Sequence, residues 1–438
     1  MKITVLGAGK SGVAAANFLA ARGDEVTVTD SRKERDLPLA AGLDSRVRTL
    51  FGSHPEDLVE GIDLVVLSPG VPTTIPIVQK ASALGVPVVA EIELAFRHLR
   101  GRVVAITGSN GKSTTTALVG EILTEAGREP VVAGNIGEPL IGAIDGERER
   151  TYVVELSSFQ LETIETFRAD VAVLLNITPD HMDRYATLDD YAGAKYRIFR
   201  NQTPDDAAVV NAGDPKTSEP PTPARVSRFS SSHRTVPGAW LENEMLVLED
   251  GGGRREIERA VLAIPGVANV ENALAAWLAV DALGVPDDAV ERAFRSFRGL
   301  PHRMVLVREL DGARYINDSK GTNVDATLKS LEGMDDGCVL LILGGKDKDG
   351  EFERLRDLVA RKAHAVLTIG SAASTIEEAL EGTTTIEPCG DLGAAVRFAH
   401  RHARPGDVVL LSPACASFDQ YENFEHRGRH FEELVNAL

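Results

Sequence analysis

Short apolar runs that end in glycine- or serine-rich turns, each followed by residues at helical spacing, recur along the whole chain. That alternation predicts an α/β architecture built on parallel sheets. Ile3-Thr4-Val5-Leu6 opens it, followed by the turn Gly7-Ala8-Gly9-Lys10-Ser11-Gly12, a helix through about Ala21 and a second strand from Glu25 to Asp30. Asp63 to Leu67 is another buried strand. It ends in Ser68-Pro69-Gly70-Val71-Pro72, a rigid turn at the kind of strand end where open α/β sheets bind ligands. Pro87 to Ala90 then reads as a short strand and Glu91 to Arg100 as a helix.

The rhythm restarts with the strand Val103-Val104-Ala105-Ile106, a turn over Gly108-Ser109-Asn110-Gly111 and a helix from Ser113 onward. Tyr152 to Glu155 and Val171 to Leu175 continue this second sheet. In a parallel sheet, the polar clusters after them, Glu155 to Gln160 and Asn176 to Asp183, share a rim with the Gly108 turn. Tyr191 to Phe199 has helical spacing, and Ala268 to Ala273 opens an apolar helix running through Val280. Between them, residues 215 to 260, with Pro220, Pro221, Pro223 and Gly251-Gly252-Gly253, read as loops and hairpin connections. Turn signals around Phe297 to Arg303 mark a second change of rhythm. Beyond it, three polar loops each follow a strand: Asn317 to Asn323, Gly344 to Lys348 after Val339 to Leu343, and Ser412 to Asp419 after Val408 to Leu411. The expected domains are residues 1–93, 94–298 and 299–438.

Composition narrows the field. A chain of 438 residues exceeds the ~250–300 that one core usually holds. The net charge of −18 argues against non-specific binding to nucleic acid or acidic membranes, so local basic residues must handle any anionic ligand. Cys338, Cys389 and Cys415 are few and far apart, which fits a reducing compartment and gives no metal-ligand spacing. With no targeting pattern and no long apolar stretch, a cytoplasmic protein without membrane insertion is expected.

Chemistry concentrates in the Gly108 turn. Glycines let backbone N–H groups close around phosphate oxygens, and the helix N-terminus adds partial positive charge. Lys112 reaches the outer phosphates and Ser113 can ligate Mg²⁺. Ile106 stands where the longer P-loop has glycine, so this is the shorter G-x-x-G-K-S form. Glu155 and His181 sit where each can approach a metal at the phosphates, although a loop histidine often has no ligand. Lys195, among apolar neighbours, is either a snorkelling surface residue or a buried amine with a depressed pKa that reacts with carbon dioxide to give a metal-ligating carbamate. Asn269 and Asn272 either cap their helix or reach a base. The Gly7 turn with Asp30 is a Rossmann-type opening, explained equally by a ligand and by close packing. The loops of the third segment fit an acidic small molecule better than three unrelated solvated turns.

The Gly7 turn, Ser68 to Pro72, Gly108 to Ser113, Gly134-Asn135-Ile136-Gly137, Glu155 to Gln160, Gly299-Leu300-Pro301-His302-Arg303 and Leu411 to Asp419 together resemble the Mur ligases. These are the ATP-dependent amino-acid ligases of the peptidoglycan stem peptide. The likeness runs through all three segments and is greatest to members that join D-glutamate to UDP-N-acetylmuramoyl-L-alanine, which it implies as substrates. It implies a Rossmann-like N-terminal domain, a central P-loop-type mononucleotide-binding domain and a Rossmann-like C-terminal domain.

By the same resemblance the first domain holds the UDP moiety and not NAD, with Asp30, Ser31 and Arg32 near the uracil and Ser68, Pro69 and Gly70 near the sugar phosphates. Gly108, Ser109, Asn110, Gly111, Lys112, Ser113 and Thr114 cradle ATP, while Asn269, Asn272, Arg303 and Asp318 bind its adenosine and phosphates. Asn135 helps bind the UDP substrate; Lys320, Thr322, Lys348, Ser417 and Phe424 surround D-glutamate. One Mg²⁺ falls to Ser113 and Glu155, and a second to His181 and carbamylated Lys195. Catalysis would rest on Lys112, Glu155, His181, Lys195 and Lys320, in a monomer. One position departs from the family's His-Asn-x-x-Asn pattern: Ala268 takes the histidine's place, while Asn269 and Asn272 remain. Three alternatives stay open. A related ligase for L-alanine, a diamino acid or folate-linked glutamate would keep the ATP loop. An NAD-linked oxidoreductase would leave Lys195 unexplained, and a non-catalytic nucleotide-binding regulator would need no second metal.

Overall fold

The computed structural model describes every residue of the chain except Asp145, Glu147, Asp183, Pro265, Lys348 and Asp349. Its first sheet has five parallel strands, β1 (Lys2–Leu6), β2 (Glu25–Asp30), β3 (Arg48–Phe51), β4 (Leu64–Leu67) and β5 (Val88–Ala90), in the order β3-β2-β1-β4-β5. The near-continuous apolar runs of β1 and β4 are buried on both faces, as central parallel strands are. The order reverses at β1, so its following turn and that after β4 meet at the crevice where such sheets take ligands.

The second sheet has nine strands: β6 (Gly101–Thr107), β7 (Pro130–Gly134), β8 (Arg150–Glu155), β9 (Val171–Leu174), β10 (Ala207–Asn211), β11 (Arg225–Ser230), β12 (Gly238–Glu242), β13 (Met245–Asp250) and β14 (Gly253–Glu258). They run in the order β14-β13-β12-β11-β10-β9-β6-β8-β7, with β13 antiparallel to both its neighbours and every other pairing parallel. Four of these strands lie in the stretch read from composition as loops and hairpin connections. On β14 the outward positions are charged, as where Arg254 pairs with Glu242 and Glu256, while Ala239, Leu246, Leu248 and Ile257 turn into the core. The alternation is therefore a half-solvated edge, masked in sequence by glycine and charge.

The third sheet has β15 (Val305–Leu310), β16 (Ala313–Asn317), β17 (Val339–Gly344), β18 (Ala363–Ile369), β19 (Thr385–Gly390) and β20 (Val408–Leu411), in the order β15-β16-β20-β17-β18-β19. Only the edge strand β15 is antiparallel, so the loops after β16, β17 and β20 share one rim. The chain forms two compact bodies: Met1–Ile177, Asp189–Ala263 and Val270–Phe297 in one, and Thr178–Leu188, Ile264–Asn269 and Arg298–Leu438 in the other. Among the described residues no helix is long and apolar enough to cross a membrane.

Within the first body, the first two sheets are joined by the helix Glu91–Phe96, shorter than the sequence predicts. It stops because the chain must enter β6 at Gly101, whose backbone lies so close to β8 that a Cβ there would be 2.0 Å from the Arg150 carbonyl oxygen. Two buried carboxylates anchor this helix. Glu93 accepts the backbone N–H groups of Glu165, Thr166 and Phe167 and the guanidinium of Arg97. Burial opposes its ionisation, but these donors hold it below the ordinary carboxylate range. Glu91 accepts one bond, from Ile141 N–H at 2.7 Å, and its other oxygen is buried with no hydrogen-bond partner among the described residues. Burial pushes it up to about 7.

The two groups act oppositely on stability. Glu91 keeps its proton in the folded chain between its ordinary value of 4.5 and about 7, so its contribution is complete below that window and is lost as pH rises through it. Glu91→Gln is insensitive to this. Denaturant unfolding of the variant and parent at pH 4.5 and pH 8 should show the difference moving toward the variant by about 3 kcal/mol, the scale of a shift from 4.5 to about 7. A difference that does not change with pH contradicts the assignment.

Candidate functional site

β6 delivers its chain into the Gly108 turn between β8 and β9, and the helix Lys112–Glu125 carries it away. Gly111 caps that helix at φ 85°, and a Cβ there would lie 2.3 Å from Asn272 Oδ1. Glycine is thus required twice, for the left-handed backbone and for the approach of Asn272. Asn272 also accepts from the Thr115 hydroxyl at 3.2 Å. Both Asn269 and Asn272 lie inside the helix Val267–Asp281 and neither is its cap.

The loop is gripped from the neighbouring strand. Asn176, just past β9, accepts the Asn110 N–H at 2.8 Å and donates to the Asn110 carbonyl at 3.1 Å, while its own carbonyl accepts the Ser109 N–H at 2.9 Å. The sequence places Asn176 on this rim, but no spacing rule marks it as the residue that grips the loop. Lys112 Nζ folds back to donate to the carbonyls of Gly108 and Ser109, both at 2.8 Å. The Asn110 side-chain amide nitrogen and the Thr114 hydroxyl are buried without a hydrogen-bond partner among the described residues. Such groups beside a glycine turn suit an oxygen-rich ligand.

Lys195 is 1% exposed, on the helix Leu188–Tyr196. Its Nζ donates to the Gly108 carbonyl at 2.8 Å and stands 4.5 Å from the centre of the Tyr191 ring, whose hydroxyl accepts from Ser109 at 3.3 Å. It is therefore no snorkelling surface residue. Glu155 ends β8 beside Ile106 of β6, as the parallel register predicts. Its Oε1 accepts from Asn135 Nδ2 at 2.8 Å; its Oε2 is buried without a hydrogen-bond partner among the described residues. A buried carboxylate oxygen left in that state fits a cation. Lys112, Ser113, Glu155, Asn135, Asn272 and Lys195 all belong to the first body, whereas His181 and Asn269 belong to the second.

At the crevice of the first sheet, Gly12 and Gly7 meet so closely that a Cβ on Gly12 would lie 1.9 Å from the Gly7 carbonyl oxygen. Close packing explains those two glycines; Gly9 faces open space. Asp30 accepts the Ala8 N–H and both the backbone and guanidinium of Arg32. Burial alone would raise its pKa, and these donors, Arg32 foremost, hold it at about 2. Its oxygens thus fix the glycine turn and orient Arg32. The Ser68 hydroxyl donates to the Gly7 carbonyl at 3.1 Å, closing the other side of the crevice. Pro69, Gly70 and the exposed Ser31 complete its rim.

In the second body, the loops after β16, β17 and β20 converge on a residue that sequence reasoning missed. Arg427, 1% exposed on the helix Phe424–Asn436, donates to the Ser319 carbonyl at 2.9 Å, the Ser319 hydroxyl at 3.0 Å and the Cys415 carbonyl at 3.2 Å. Burial pulls its pKa down to about 10. Around it, Lys320 Nζ lies 4.0 Å from the Phe424 ring centre, Thr322 N–H donates to the Lys320 carbonyl, and Ser417 is buried. Asp318 accepts from the hydroxyls of Ser330 and Ser412; burial raises its pKa, and those hydroxyls and Arg303 oppose the rise. Lys348 lies outside the described residues. His181 has φ 57°, a left-handed backbone that costs a side-chain-bearing residue about 1–2 kcal/mol.

This geometry has known counterparts. The description "Mur ligase MurD-like, N-terminal domain" matches residues 1–90, "Mur ligase middle domain" matches 106–280 and "Mur ligase, glutamate ligase domain" matches 302–415. A curated protein of Koribacter versatilis named UDP-N-acetylmuramoylalanine–D-glutamate ligase is 44% identical over 445 residues, covering 100% of this chain and 97% of the relative. One of the same name from Anaeromyxobacter dehalogenans is 46% identical over 449 residues, covering 99% and 97%. Among solved structures, the UDP-N-acetylmuramate-alanine ligase of Thermotoga maritima superposes with a TM-score of 0.65 at 22% identity, covering 100% of this chain and 99% of that one. The pseudomurein peptide ligase type C of Methanothermus fervidus gives 0.63 at 19% identity with the same coverage. Those two likenesses speak to the fold, and the curated relatives to descent. From its phosphate-type turn to its three sheets, this chain belongs to the Mur ligase family.

Proposed function

We propose that this chain joins D-glutamate to UDP-N-acetylmuramoyl-L-alanine, converting ATP to ADP and phosphate, as a monomeric cytoplasmic enzyme of peptidoglycan precursor synthesis. One observation carries the reading: the buried Oε2 of Glu155 beside the Gly108 turn, without a hydrogen-bond partner among the described residues, in a chain that aligns end to end with relatives named for this reaction. Residues 1–93 hold the UDP moiety, 94–298 the ATP, and 299–438 the amino acid.

The reaction is two transfers. The carboxylate of the bound L-alanine attacks the γ-phosphorus of ATP and ADP leaves, giving an acyl phosphate. The amine of D-glutamate then attacks the acyl carbon, a proton is lost, and phosphate leaves with one of the former carboxylate oxygens. Phosphoryl transfer needs charge neutralisation and alignment more than covalent help. Lys112 supplies a positive charge at the outer phosphates, and the N-terminus of the helix Lys112–Glu125 faces the others. Asn135, tethered to Glu155, orients the UDP substrate against this centre. Lys320 and the Ser417 hydroxyl meet the carboxylates of D-glutamate, with Thr322 and Phe424 shaping the pocket and Lys348 adding a second cation.

Ser113 and the buried Oε2 of Glu155 would hold one Mg²⁺, and His181 and a carbamylated Lys195 would hold a second. When bound, Mg²⁺ neutralises phosphate oxygens and brings the attacking carboxylate into line.

Two tests follow. Phosphate release with ATP, Mg²⁺ and UDP-N-acetylmuramoyl-L-alanine should require D-glutamate; release with L-glutamate, L-alanine or a diamino acid instead would move the specificity, and none with any amino acid would refute ligation. Lys195→Ala should lose turnover by on the order of 10²-fold or more, the scale of removing one electrostatic group from a reacting centre. A short carboxylic acid should restore part of it by standing in for the carbamate, and full activity in the variant would exclude the modification.

A further inference from the structure

We infer that Asn323 is a positioning residue that holds the loop carrying His181. Asn323 closes the turn after β16 and caps the helix Val324–Glu332, its Oδ1 accepting the Ala326 N–H at 2.8 Å. Capping uses only the oxygen. The other end of the same amide, Nδ2, donates to Asp180 Oδ2 at 3.1 Å, a contact between residues 143 positions apart. Both segments belong to the second body.

Asp180 in turn governs His181. Its Oδ1 accepts the His181 N–H at 3.0 Å, and its Oδ2, the oxygen that Asn323 reaches, lies 3.7 Å from His181 Nε2. A single carboxylate thus addresses the backbone and the ring of the histidine, and Asn323 fixes that carboxylate. His181 has a left-handed φ of 57°, and its carbonyl closes a turn by accepting the N–H groups of Arg184 at 3.0 Å and Tyr185 at 3.2 Å. A strained residue persists only where its surroundings over-determine it, and the long-range bond from Asn323 is part of that determination.

The consequence for chemistry rests on the function proposed above. Thr322 and Lys320, assigned there to the amino acid, stand one and three positions before Asn323. One amide therefore ties the loop that meets the amino acid to the loop that presents His181. Loss of the tie leaves both sets of groups intact and misaligns one against the other, which lowers kcat more than it weakens ATP binding.

Two variants separate capping from positioning. Asn323→Ser keeps a good cap but is too short to reach Asp180; Asn323→Asp keeps the cap and sets carboxylate against carboxylate. Hydrogen–deuterium exchange of the full chain, without nucleotide or metal, should show residues 178–188 exchanging about tenfold faster in both variants, more so in Asn323→Asp, with 324–332 unchanged. Turnover with saturating D-glutamate should fall about 10- to 100-fold, with KM for ATP unchanged. Unchanged exchange over 178–188 overturns the inference, as does equal acceleration over 324–332, which assigns Asn323 to the cap alone. Faster loop exchange with undiminished kcat also overturns it. If the parent ligates no amino acid while the loop still loosens, the proposed function fails and the structural tie stands.

Discussion

A phosphate-binding turn must hold its shape before the ligand arrives, so that shape has to be imposed from outside. Here that constraint falls on asparagine amides. Asn176 closes a two-way bond with Asn110 from the adjacent strand, and Asn272 comes so near Gly111 that no other side chain fits. Lys112 and Lys195 both rest on the carbonyl of Gly108, placing two side-chain nitrogens at the turn. Glu155, Asn135 and Tyr191 then follow from their attachment to this frame. The parallel sheet makes the convergence possible, because β8, β6 and β9 end at the same rim.

The second body solves a similar problem with a cation. Three strand-end loops of unrelated sequence must hold a fixed relation, and direct bonds such as Ala414 N–H to the Gly321 carbonyl and the Lys346–Ala416 pair join them only along their edges. Arg427 supplies five N–H donors in a rigid fork and bonds to carbonyls of two of those loops and to a serine hydroxyl. In a chain of net charge −18, the buried cation Arg427 thus stands beside the place proposed for an anionic ligand, while the acidic excess lies largely on the surface. Local charge, not the net balance, decides what such a protein binds.

Much of this was legible in the sequence because it depends on local signals. Parallel strands buried on both faces leave continuous apolar runs, and glycine turns at their ends mark the rim, so Gly108 to Ser113, Glu155 and the three loops of the last sheet could be read directly. What escaped has non-local causes. Asn176 and Arg427 act through backbone groups distant in the chain, with no spacing rule to announce them. Arg427 sits in Phe424-Glu425-His426-Arg427-Gly428, which reads as a solvated helix; Gly428 lets that helix approach His302, where a Cβ would lie 2.3 Å from Nδ1, and so buries the arginine. The strands β11 to β14 were hidden by the charged positions of β14, the glycines at 251–253 and the prolines that precede β11. The helix ending at Phe96 stopped early for a contact with Arg150, far along the chain.

The central claim is that the carboxylate is activated as an acyl phosphate at the Gly108 turn. Oxygen transfer tests it most directly. With both carboxylate oxygens of UDP-N-acetylmuramoyl-L-alanine labelled with heavy oxygen, turnover with ATP and D-glutamate should yield inorganic phosphate carrying one labelled oxygen for each amide formed. Phosphate without label, or label appearing in AMP, would contradict the account.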